Sequence, residues 1–124
     1  KKVFITVYSL ILKKGGYSIS QSAKSIEVLS NEMTDKAAFG LKMISNFEKP
    51  LFFVGDTILF ENKNPLHNQV GLFWVNGLIH IRKMYKKNEI VKLIPFNASA
   101  DTIIISKKDD FKILGKYIGK LGYY

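Results

Sequence analysis

The side chains able to do chemistry in this sequence are few in kind. Histidine occurs twice, at His67 in a polar loop and at His80 in an apolar run, with no histidine, cysteine or carboxylate partner at ligand spacing, so no metal centre is expected. Cysteine is absent, which excludes disulfides, thiolate metal sites and a cysteine nucleophile, and no cofactor motif is present. Asp109-Asp110 precedes an apolar run and reads as a turn, and Trp74 sits among apolar neighbours as sheet packing. That leaves hydroxyls and amines. A serine becomes a nucleophile only beside a base, and a lysine serves as that base only where burial holds it neutral.

Nineteen Lys plus Arg against ten Asp plus Glu give a net charge of +9, which attracts nucleic acid or anionic membrane without specifying either. Arg82, Lys83, Lys86 and Lys87 form the one cluster. A solvated strand end guarded by lysines explains it more simply than a nucleic-acid groove, because no aromatic and basic motif of a single-strand binder accompanies it.

These groups must be held by strands. Val70 to Pro95 runs through three stretches of β-branched, aromatic and aliphatic residues broken only by turn signals, a three-stranded antiparallel meander. Asn76-Gly77 favours the positive φ angles of a type I′ turn, and Lys87-Asn88 marks the second reversal. Val3 to Leu12, after Lys1-Lys2, predicts a first strand, since this apolar run of ten residues holds Thr6, Tyr8 and Ser9 and is too short to cross a bilayer. Residues 13–36, rich in Gly, Ser, Lys and Asn, predict a long exposed connection. Ala37 to Ile44, Thr57 to Glu61 and Thr102 to Ser106 are further strands, with Gly55-Asp56 turning into the second of these. Phe111 to Leu121 contains Gly115 and Gly119, which suit a bent or bulged closing strand. With 124 residues, 47% hydrophobic and 23% charged, the chain is expected to form one domain, all-β and mainly antiparallel.

The order of motifs resembles a known family. Pro50, Phe52 and Gly55-Asp56 followed by TILFE are similar to the P-x-[IF]-x-x-G-D-x-[IVL] segment of LexA-like repressor C-terminal domains. VGLFWVNGLIHIRKM resembles that family's strand, turn and VKRL strand, VKLIPFNASADTIII its L-x-P-x-N stretch, and FKILGKYIGKLGYY its closing strand. The resemblance covers nearly the whole chain. It implies a mostly β domain that dimerises and cleaves its own chain with a serine and lysine dyad, supported by an oxyanion site.

Carried over residue by residue, the dyad is missing. The family's G-D-S-M-x-P falls on Ser45-Asn46-Phe47-Glu48-Lys49-Pro50, so the nucleophile position holds Phe47. The lysine of VKRL falls on Arg82, which stays protonated in proteins and cannot act as general base. The family's Ala-Gly cleavage site corresponds most nearly to Lys14-Gly15. A displaced dyad of Ser45 and Lys83 can be written, but strand alternation sends Lys83 to the face opposite Arg82.

The resemblance therefore implies the dimerisation and regulatory domain of a phage- or prophage-type transcriptional repressor, cytoplasmic, without self-cleavage. The sequence lacks an initiator Met, and an N-terminal DNA-binding domain that reads operator DNA is expected ahead of it. By the same resemblance the closing strand, with Phe111, Ile113, Leu114, Tyr117 and Ile118, is expected to form the homodimer interface, the alternative being plain intramolecular core. A regulatory protein partner could replace self-cleavage as the switch, and no membrane association is expected. Two rival readings are an active autopeptidase with the displaced dyad and a basic β-domain that binds nucleic acid directly.

Overall fold

Alternating apolar residues and short turns produce a protein built almost wholly of strands. The computed structural model describes residues 1–123. Nine strands follow in order: β1 (Lys2–Lys13), β2 (Gly16–Leu29), β3 (Phe39–Lys42), β4 (Asp56–Glu61), β5 (Val70–Val75), β6 (Leu78–Lys87), β7 (Ile90–Ile94), β8 (Ile103–Ile104) and β9 (Phe111–Tyr123). A five-residue helix, α1 (Glu32–Lys36), separates β2 from β3. Its N-cap is Asn31, whose side chain accepts from the Thr34 amide at 2.8 Å while Thr34 Oγ1 accepts from the Asn31 amide at 2.9 Å.

The strands form one sheet in the order β2-β1-β3-β4-β9-β5-β6-β7-β8. All neighbours run antiparallel except β1 and β3, where Val7 lies opposite Gly40 in a parallel pair. The sheet curls until the first strand in this order meets the seventh, with Tyr17 of β2 opposite Ile79 of β6. The largest core cluster fills the curl, with Leu41, Phe52, Ile58, Phe60, Leu72 and Ile81 almost wholly buried. Two smaller clusters lie under the β1–β2 hairpin, around Ile5 and Leu59, and under the meander, around Phe73 and Leu93.

The meander is as the sequence indicates. Val75 pairs with Leu78 across Asn76 (φ 50°) and Gly77 (φ 95°), the two positive angles of a type I′ turn. The second reversal falls one residue later than expected, on Asn88 (φ 52°) and Glu89 (φ 65°). The bulged closing strand is also present. Its register shifts opposite Leu72/Phe73, Leu59/Phe60 and Asp56/Thr57, and Gly119 has a φ of 156°.

Residues 13–36 are not a long connection. Lys14 and Gly15 (φ 88°) make a two-residue turn, and β2 runs back along β1 for fourteen residues. The polar composition misleads because the middle of β2 is solvated on both faces: residues 21–25 are all exposed, while Tyr17 near one end and Ile26 and Val28 near the other are buried. No helix among the described residues is long and apolar enough to cross a membrane.

Candidate functional site

A cleft of about 760 Å³ opens where β2 crosses β6. The fold brings to its walls three positions far apart in sequence: Gly15 of the β1–β2 turn, Phe47 of the loop after β3, and Arg82 of β6, joined by Lys13, Tyr17 and Glu48. Lys14 heads the same turn and is exposed.

The loop carrying Phe47 is pinned at both ends. Phe52 is fully buried and meets Phe96 and Tyr117 edge-on, with ring centroids 5.8 and 5.2 Å away. Asp56 accepts from the Phe53 amide at 3.0 Å and pairs with Lys120 at 3.1 Å, so the Gly55-Asp56 turn is structural. Asn46 accepts from the Val54 amide at 3.0 Å, and the side-chain amide of Asn97 donates to the Phe47 carbonyl. Phe47 itself stands 60% exposed at the mouth of the cleft. It offers no hydroxyl and no base.

Arg82 is half-buried. Its Nη1 donates to the carbonyls of Asp101 at 2.6 Å and Leu93 at 3.4 Å. Burial lowers its pKa, and Glu48, Asp101 and Tyr17 oppose that shift. A guanidinium in this setting keeps its proton and works as a fixed cation and donor. His80, beside it on β6, is buried neutral, its pKa pushed down to about 4 by burial and by the Arg82 charge.

Ser45 is buried and turned toward Tyr17, with the two hydroxyl oxygens 2.9 Å apart. The Tyr17 phenol also donates to the Glu48 carboxylate. With its single proton given to Glu48, the phenol oxygen accepts from Ser45, whose own proton then has no base to receive it. Burial, and then Glu48, raise the Tyr17 pKa far above its ordinary value, so the phenol remains neutral. Lys83 is exposed on the opposite face of β6, and among the described residues no hydrogen bond joins it to Ser45.

This network went unseen in the sequence. Tyr17 lies in the stretch that looked like a loop, although its alternation with Ile19 marks a strand, and Glu48 falls on the methionine position of G-D-S-M-x-P, which gives no hint of a carboxylate partner. Asn97 and Asp101 act through loops that no periodicity places.

A family model described as Peptidase S24-like matches residues 11–118. The chain belongs to this family. Within the Peptidase S24-like family it is similar to the LexA repressor of Carboxydothermus hydrogenoformans, 28% identical over 112 residues that cover 86% of this chain and 53% of that protein. It is also similar to the LexA repressor of Thermosipho africanus, 30% identical over 71 residues that cover 56% of this chain and 35% of that protein. The chain thus spans about half the length of the first relative. The S24-like family accounts for the mostly β architecture.

The closing strand β9 lies inside the sheet, between β4 and β5. Phe111 and Ile113 pack into the cluster under the meander, Leu114 and Tyr117 against the central core, and Ile118 against the cluster under the β1–β2 hairpin, all of them half-buried.

Proposed function

We propose that this S24-like chain is the regulatory and dimerisation domain of a transcriptional repressor of phage or prophage type that does not cleave itself. The observation that carries the reading is the content of the cleft. Phe47 and Arg82, at the positions the family uses for chemistry, line it; its lining serine, Ser99, donates to the side-chain oxygen of Asn97, and the buried Ser45 behind it donates into a neutral phenol. Such a cleft lacks an activated nucleophile. The LexA repressor similarity supports a homodimeric regulator that acts in the cytoplasm on operator DNA. Because this chain spans about half of such a relative, DNA reading is assigned to a separate N-terminal head. Dimerisation then places two heads at matched half-sites, and a regulatory protein partner takes over the release that self-cleavage would provide.

A fluorophosphonate probe tests the chemical part directly, since it labels activated serines. No labelling at Ser45 after prolonged exposure is the expected outcome. Labelling at Ser45 that is lost in Lys83→Ala would establish the displaced dyad and an active peptidase instead.

A further inference from the structure

The cations clustered in sequence from Arg82 to Lys87 are divided by the fold. Arg82 lines the cleft, whereas Lys83, Tyr85 and Lys87 alternate onto the outer face of β6. Across the hairpin Lys83 lies opposite Ile94, Tyr85 opposite Lys92 and Lys87 opposite Ile90, so Lys92 joins the same face. The ammonium groups of Lys87 and Lys92 stand 5.9 and 5.4 Å from the centroid of the Tyr85 ring, and His67 meets that ring edge-on at 5.1 Å.

Among the described residues Lys83, Lys87 and Lys92 form no ion pair; the ion pairs present use Lys2, Lys36, Lys63 and Lys120. Like charges gathered on one sheet face repel one another, and a polyanion relieves that repulsion. Tyr85 holds two of the three ammonium groups in place, which reduces the side-chain entropy lost when they meet phosphate. With two lysines over its ring and His67 at its edge, Tyr85 offers no free platform for a stacked base, so a single-strand mode is disfavoured. Neither the cleft between β2 and β6 nor the pocket beside α1 reaches this face, and a second copy would set lysines against lysines.

We propose that the outer face of the β6–β7 hairpin, through Lys83, Lys87 and Lys92, is a sequence-independent contact for the phosphate backbone of duplex DNA. The contact goes beyond the repressor reading, because it requires neither a separate head nor any state of the cleft.

The test is fluorescence anisotropy of the 124-residue chain with a labelled duplex of arbitrary sequence, about two helical turns long, as salt rises from about 50 to about 200 mM. Three phosphate contacts predict about 40-fold weaker binding across that range. Lys83→Gln, Lys87→Gln and Lys92→Gln combined should lower affinity at least about tenfold at the lower salt and remove most of the salt dependence. A charge-matched control, Lys1→Gln, Lys24→Gln and Lys49→Gln at exposed positions elsewhere, should retain both. Unchanged circular dichroism of both triple variants keeps folding out of the comparison. Equal losses in the two variants, tighter binding to a single strand, binding to anionic vesicles in place of DNA, or no binding at the lower salt would overturn the proposal.

Discussion

At Arg82 a single substitution type decides what the cleft can do. A lysine there could lose its proton when buried; a guanidinium cannot, and instead clamps the carbonyls of Asp101 and Leu93. Restoring the dyad by Phe47→Ser with Arg82→Lys is expected to give no cleavage between Lys14 and Gly15, because that pair differs from the family's Ala-Gly site. Rapid cleavage at that bond, read by intact mass, would show that only the dyad had been lost. The neighbouring His80 makes a second prediction. Its folded pKa of about 4 lies below the ordinary 6.5, so between those values the unfolded chain binds the extra proton. The stability tied to neutral His80 is therefore complete above pH 6.5 and is lost as pH falls toward 4, by up to about 3 kcal/mol. Urea unfolding at several pH values should show this decline in the wild type and a flatter profile in His80→Gln. Motif position singled out Phe47 and Arg82 in the sequence, and both line the cleft. The partners of Arg82 were not, because carbonyl contacts from a loop leave no trace in residue type.

Among the elements, the turns carried the most information. Asn76-Gly77 specifies its hairpin because both residues tolerate positive φ, and the structure obeys it. The next turn places Glu89 at φ 65°, where a side chain with a Cβ is strained, so Glu89→Gly should stabilise the domain by about 1 kcal/mol in denaturant unfolding. No change would mean that Glu89 has a compensating contact. Gly71 makes the opposite case. A Cβ there would lie 2.8 Å from both Phe73 and Pro65, so Gly71→Ala should destabilise by about 1–3 kcal/mol, measured the same way. The strand β2 was misread because a strand whose middle residues, 21–25, are exposed on both faces is compositionally close to a loop. Its Tyr17, Ile26 and Val28 are inward-facing, but a register shift opposite Tyr8/Leu10 breaks the alternation that would have linked them.

At the scale of the whole molecule, all-β class and the bulged closing strand follow from β-branched runs and from Gly115 and Gly119. The curl that joins β2 to β6 does not, because it is made by contacts far apart in sequence, Tyr17 opposite Ile79 and Gly16 against Leu78 and His80. Placing β9 in the middle of the sheet makes its apolar side chains part of three core clusters, so a charge at Ile113 would strike folding as well as association. Dimerisation is better measured on the unaltered chain. Sedimentation equilibrium should give a mass twice the 14.1 kDa of one chain, with a constant 14.1 kDa across concentrations removing the dimer from the account. The central claim is that the cleft holds no working nucleophile, and the most direct measurement is the intact mass of the chain after prolonged incubation at neutral and moderately alkaline pH. The expected result is a single species of 14.1 kDa at every time point. Fragments that accumulate at a rate independent of protein concentration, and that vanish in Ser45→Ala, would contradict it.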